Sequence, residues 1–92
     1  MRLITHNVAQ HRFECTEHGE TCYIVYRPQA NGTWLLAHTE APSSPQGRSI
    51  AADIARAVLE HAQQHNIKIR TECPFVIGYL AFHPEFSDLE DA

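Results

Sequence analysis

Cys73 stands directly before Pro74, and the proline opens an apolar run, PFVIGYLAF, over 74–82. Proline is favoured at the first position of a helix, where its missing N–H costs nothing. The pair therefore predicts a helix whose N-cap residue is a cysteine. A thiol placed there lies near unpaired amides and the positive end of the helix dipole, which enriches the nucleophilic thiolate. The competing role is that of a small buried hydrophobe. A second stretch, PQGRSIAADIA, leads through Gly47 into a long amphipathic segment. The first amides of a helix lack internal partners and attract anions, and a glycine just before them lets a phosphate approach the backbone. Arg48 adds a charged donor. A third candidate is His38, in AHTEAP, which could exchange a proton with the thiol or with an amine. Glu40 projects from the same face as His38 only if the strand stays regular, and a bulge would re-aim it.

These residues must be brought together by the elements around them. VAQHRFEC, near 8–15, alternates weakly as a strand would, and Gly19 offers a turn. TCYIVYR, 21–27, is rich in β-branched and aromatic types and reads as a strand. PQANG contains an Asn-Gly pair suited to a tight hairpin, and TWLLAHTE, 33–40, follows as the third strand. After the loop APSSPQG, the residues Ile50, Ala51, Ile54, Ala55, Val58, Leu59 and Ala62 recur at helical spacing. They predict an amphipathic helix over 48–65 that ends at Asn66. IKIRT, 67–71, alternates as a short strand, and 74–82 forms a second helix. It stops before Pro84 and leaves an acidic tail, EFSDLEDA, expected to be solvated. A strand–helix–strand crossover places its two strands parallel in one sheet. The expected fold is α+β, with a mostly antiparallel mixed sheet and one crossover. His38, the loop 40–49 and Cys73 then meet at the carboxyl end of the parallel pair, where ligands of crossover units sit.

Composition narrows the function classes. Ninety-two residues, 43% of them apolar, suit one domain over 1–92. A net charge of −4 with seven scattered Lys and Arg argues against a duplex nucleic-acid partner. No apolar run approaches the roughly 20 residues that span a bilayer. MRLITHNVAQ lacks the long apolar segment of a secretory signal, so a cytoplasmic protein with no membrane partner is expected. Three cysteines at 15, 22 and 73 make no even disulfide framework, which fits a reducing compartment. Cys15, His18 and Cys22 form a C-x-x-H-x-x-x-C string, but no second half follows at finger-like spacing, and no metal is expected. Nothing in the pattern demands a partner chain, and a monomer is expected.

Several separated motifs agree in order with one family. HTEAPSSPQGRSIAADIARAVLEHAQQ, followed by ECPFVIGYLAFHPEFSDL, resembles the minimal single-domain branch of the GNAT acetyltransferases. That branch shows an H-T-x-V-P-like segment, an R-G-x-G-[IL]-[AG] coenzyme A loop, and a C-P-F or C-S-Y start to its last helix. A histidine-proline-glutamate-aromatic ending follows, and RFE at Arg12 to Glu14 also matches, so the resemblance covers roughly residues 11–89.

The resemblance implies a trimmed GNAT sheet that binds acetyl-CoA as cosubstrate and moves the acetyl group to an amine. Its pyrophosphate would lie on the amides of Gln46, Gly47, Arg48, Ser49, Ile50 and Ala51. The pantetheine arm would run between splayed parallel strands, with Thr39, Glu40, Ala41, Pro74 and Phe75 completing the binding set. Cys73 and His38 would be the catalytic pair. Two positions depart from the pattern: Gln46 replaces a leading arginine and Ser49 replaces a second glycine. Ser49 is harmless if its backbone is helical, but costs about 1–2 kcal/mol if a left-handed conformation is required. Two routes follow, direct transfer with His38 as base or an acetyl-cysteine formed on Cys73. The rival readings are a coenzyme A-binding module without turnover and a redox or structural thiol protein.

Overall fold

The computed structural model describes residues 2–91. Its elements run β1 (Thr5–Asn7), β2 (Arg12–Glu17), β3 (Glu20–Pro28), β4 (Trp34–Glu40), α1 (Pro45–Gln64), β5 (Ile69–Thr71) and α2 (Pro74–Ala81), then a 3₁₀ helix, Pro84–Leu89. One sheet holds the five strands in the order β1-β2-β3-β4-β5. The first four are antiparallel, and β4 pairs with β5 in parallel through the α1 crossover. The mixed, mostly antiparallel sheet with a single crossover and a short C-terminal helix is the architecture expected from the sequence pattern.

Alternation along the strands divides the sheet into two faces. Phe13, Cys15, Cys22, Ile24, Tyr26, Leu36 and Ile69 are buried on one face. α1 covers that face over β2 and β3, and α2 and the 3₁₀ helix pack against α1. The opposite face carries Arg12, Glu14, Tyr23 and Val25, which are only half-buried. The helix side of the core is Ile50, Ala51, Ile54, Ala55, Val58, Leu59 and Ala62, each at most 5% exposed. These are the seven positions given by helical spacing. Removing so much apolar surface from water is the main favourable term holding α1 to the sheet.

Local chemistry sets where the elements begin and end. α1 starts at Pro45, three residues ahead of the expected 48, because Ser44 is its N-cap and accepts a hydrogen bond from the Gly47 amide at 3.0 Å. Asn66 ends the helix region in the left-handed conformation, φ 55°. The β2–β3 hairpin turns on His18 and Gly19, with φ 53° and 79°, the pair of positive values that matches the twist of flanking strands.

Three expectations about extent needed correction. The strand read near 8–15 is β2 at 12–17, because residues 8–11 form a turn with His11 at φ 52°. An additional edge strand, β1, precedes that turn. The acidic tail is docked rather than solvated: Phe86 and Leu89 are 1% and 5% exposed, and the Asp91 amide donates to the Ile69 carbonyl at 2.9 Å. Two apolar side chains within a charged segment supply enough burial to fold it back.

Candidate active site

β4 and β5 separate at the point where the expected site lies. Their pairing ends at Leu36 opposite Thr71, whereas β4 runs on to Glu40. The other chain turns instead into α2. That junction is fixed to β4 by two donors on one carbonyl: Thr71 Oγ1 at 3.2 Å and the Glu72 amide at 3.3 Å both reach Leu36 O. Thr71 Oγ1 in turn accepts from the Cys73 amide at 3.1 Å. The gap left between the strand end and the helix start is a cleft of about 360 Å³.

Cys73 is the N-cap of α2, as the C-P pair predicts, with Pro74 at the first helical position. The residue is 6% exposed, yet it lines this cleft. Its thiol donates to Thr39 Oγ1 at 3.1 Å, and the same hydroxyl turned about can donate to the thiolate. Burial pushes the thiol up, but hydrogen bonding from Thr39 outweighs this together with the amides of Val76, Phe75 and Thr39, and the group lies below the ordinary thiol range. The helix amides act there as oriented dipoles, without closing a capping bond of standard geometry.

A bulge puts Thr39 in place. Tyr26 pairs with Leu36 and Val25 with His38, so Ala37 is an extra residue in β4. Without it, Leu36 and Thr39 would face opposite sides of the sheet. With it, Thr39 pairs with the buried Ile24 and turns to the helix-covered face, where the sulfur lies. Beyond the bulge the strand is regular again. His38 and Glu40 then share the other face, where His38 Nε2 lies 3.0 Å from Glu40 Oε1. His38 borders the cleft, but its hydrogen-bond partner is Glu40, and the sulfur's partner is Thr39.

Eight of the thirteen site residues named from the sequence line the cleft: His38, Thr39, Ala41, Arg48, Ala51, Cys73, Pro74 and Phe75. Pro42 and Ser43 complete the lining and were not anticipated. Gln46, Gly47 and Ile50 border a neighbouring depression beside Pro42 and Ser44. Ser49 is exposed and accepts a hydrogen bond from Arg2 at 3.2 Å. Its backbone lies within α1, so replacing glycine there imposes no left-handed strain.

The amides at the start of α1 are less open than an uncapped helix would offer. Pro45 has none, Gly47 is bonded to Ser44 Oγ at 3.0 Å, and the Arg48 amide is bonded to Ser44 O at 3.0 Å. Gln46 N is left as the unpartnered amide of that turn among the described residues. Gly47 lies inside the first turn rather than before it, and an added Cβ would overlap the Pro42 carbonyl oxygen. The glycine permits close packing of the loop on the helix. The Arg48 side chain lines the cleft, and among the described residues no carboxylate forms an ion pair with it. It is the cation available to an anionic ligand there.

Cys15 and Cys22 face each other across the β2–β3 hairpin, and His18 is on its turn. No helix among the described residues is long and apolar enough to cross a membrane.

Comparison with known proteins gives consistent relatives. Residues 12–89 match the family model of GCN5-related N-acetyl-transferases. Protein NATD1 of Xenopus tropicalis is 24% identical over 83 residues, which are 88% of this chain and 76% of the relative. Protein NATD1 of Danio rerio is 24% identical over 89 residues, 95% of this chain and 81% of the relative. The NMR solution structure of a GCN5-like protein from Staphylococcus aureus superposes with a TM-score of 0.78 at 24% identity. The match covers 98% of this chain and 88% of that one, and it shows a shared fold. With a splayed parallel pair, a capped helix entering beside it and a family model spanning most of its length, this chain belongs to the GCN5-related N-acetyltransferase family.

Proposed function

We propose that the protein is an acetyl-CoA-dependent N-acetyltransferase that works in the cleft between β4 and α2 and passes the acetyl group to an amine. The observation that carries this reading is a single cleft lined by both Cys73 and Arg48. It joins a thiol held below its usual range to an unpaired cation. The residues fit the cosubstrate. Arg48 and the Gln46 amide would take the pyrophosphate, with the Ser44 hydroxyl able to turn from Gly47 toward it. The strand end of Thr39, Glu40 and Ala41, with Pro74 and Phe75 opposite, would border the pantetheine arm.

Acetyl-CoA supplies an activated acyl group. Cys73, as thiolate, attacks the thioester carbonyl, the coenzyme A thiolate leaves, and an acetyl-cysteine remains. An amine then attacks that carbonyl, and His38 takes the proton the amine loses while Cys73 leaves as thiolate. Thr39 steadies the thiolate at both stages. The pairing of His38 with Glu40, rather than with the sulfur, favours a second route. There His38 deprotonates the amine, Glu40 holds the ring, and transfer from acetyl-CoA is direct.

Titration of the labelled protein with acetyl-CoA tests the site. Amide shifts concentrated at 46–51 and 73–76 are expected, and an unchanged spectrum with an unchanged melting curve would overturn the proposal. Rapid quench and intact mass then separate the routes. Acetyl on wild-type Cys73 supports the covalent path, whereas turnover without it supports direct transfer. Tight binding with no turnover across a wide amine panel would leave a coenzyme A-binding module.

A further inference from the structure

Two cysteines away from the cleft are paired by the fold itself. Cys15 on β2 and Cys22 on β3 are direct register partners, on the third rung from the hairpin turn. Residues opposite each other in an antiparallel pair point to the same face, so both thiols lie side by side under the helix layer. The Cα atoms of such partners are about 4.5 or 5.5 Å apart, according to the type of rung. Both values fall inside the roughly 4.4–6.8 Å Cα span that disulfides occupy. Both residues are free thiols.

The surroundings distinguish the two. Cys15 borders a depression of about 230 Å³ that opens among Arg2, Thr5, Thr16 and Glu17. Its sulfur is turned toward Glu17 Oε2, 4.0 Å away. Cys22 is 1% exposed and borders the separate depression beside Gly47 and Ile50 at the start of α1. Burial raises both thiols, and the nearby Arg2 guanidinium opposes that rise only at Cys15. Cys15 is itself only 3% exposed, and its sulfur, directed at a residue that lines the depression, makes it the thiol to react first, with Cys22 as its partner.

We infer that Cys15 and Cys22 form a reversible cross-strand disulfide when the protein meets a small peroxide, a modification site separate from the acetyl-transfer cleft. The Cys15 thiolate attacks one peroxide oxygen, the O–O bond breaks, and the departing oxygen takes a proton to leave as water. Cys15 is then a sulfenic acid. Its sulfur turns from Glu17 toward Cys22, whose thiol attacks it. An S–S bond replaces the S–O bond, and a second water leaves carrying the Cys22 proton. Hydrogen peroxide is reduced to two waters and two thiols are oxidised to one disulfide. A small dithiol reverses the change. Because both sulfurs start as raised thiols, the reaction quickens as pH rises. Transient bonds of this kind are the form disulfides take in a reducing compartment.

The test uses the full chain carrying Cys73→Ser, so that the cleft thiol does not consume the oxidant. After hydrogen peroxide and alkylation of the unfolded product, trypsin leaves Cys15 and Cys22 on one peptide, because no Lys or Arg lies between Arg12 and Arg27. The expected result is loss of two hydrogens from that peptide, blocked alkylation at both positions and recovery with dithiothreitol. In the additional variant Cys22→Ser, an oxygen adduct on Cys15 that a dimedone probe captures is expected instead. Two free, alkylated cysteines in the Cys73→Ser protein after peroxide would overturn the inference. So would irreversible oxidation of both residues without a link. In the unmutated chain, a Cys73 bridge to either cysteine in place of the 15–22 link would do the same.

Discussion

At position 39 a hydroxyl controls how readily the Cys73 thiol ionises. Thr39 Oγ1 is the side-chain partner of the sulfur at 3.1 Å, and its bond to the charged form offsets much of what burial takes away. Thr39→Val keeps the shape and removes that bond. Alkylation of Cys73 by iodoacetamide, followed across pH by peptide mass, is therefore expected to slow near neutrality and to shift its rise to higher pH. Thr39→Ser restores the parent curve. An unchanged curve in Thr39→Val would show that the helix amides alone set the thiol. The cysteine's place at a helix start was readable from Cys73 and Pro74, because proline's preference is local. Its pairing with Thr39 was not, because that depends on a bulge at Ala37 which no residue type announces. Thr39 was named from family resemblance for contact with the cosubstrate, while the hydrogen bond gives it a second task.

Gly47 shows how an element boundary carries information about packing. Read from the sequence it was a phosphate-approach glycine ahead of the helix. In the fold it is inside the first turn, with the Pro42 carbonyl pressed against the place of a side chain. Gly47→Ala forces the loop and the helix apart, and the obstacle is backbone rather than a flexible side chain. A loss of about 1–3 kcal/mol in unfolding free energy is expected, as for other overpacked sites, read from the urea midpoint. Alanine's better helix propensity, about 1 kcal/mol relative to glycine, works in the opposite direction and makes the sign decisive. A stabilised Gly47→Ala protein would show that the loop yields. The length of α1 and its buried face were legible because seven apolar positions repeat over four turns and nothing else satisfies that spacing. β1, with three residues, and the docked tail, with Phe86 and Leu89 among charges, are too short for any period to emerge. Their folding is decided by the surfaces they meet: Arg56, for example, reaches over the Phe86 ring and pairs with Glu85 at 3.0 Å.

Across the whole molecule, the site and the stability of the frame lie at opposite ends of β4. Thr39 is at one end with the sulfur, and Trp34 is at the other, stacked on Tyr26 at 3.8 Å between centroids and on His61 at 5.4 Å. His6 joins this cluster from the edge strand, stacking on Phe13 at 4.2 Å with Nε2 at 2.5 Å from the Tyr26 hydroxyl. Desolvation lowers both His6 and His61 below the ordinary value of 6.5, and their histidine neighbours, His11 and His65 for one and His65 and His6 for the other, lower them further. The unfolded chain therefore binds more protons than the native one as pH falls through 6.5. The histidine contribution to stability is complete above that value and declines below it. Carboxylates with lowered values, such as Glu14 and Glu85, act only at more acidic pH, below their ordinary 4.5. Urea unfolding at about pH 7.5 and about pH 5.5 isolates the histidine contribution, and a lower midpoint is expected at the acidic value. His61→Phe keeps a ring against Trp34 but takes up no proton, so its midpoint is expected to move less between the two conditions. Equal pH dependence in parent and variant would place the proton uptake elsewhere than His61. Acid is expected to weaken the frame first at this aromatic end, where the three residues of β1 have the least to hold them, and to reach the thiol cleft only through global unfolding.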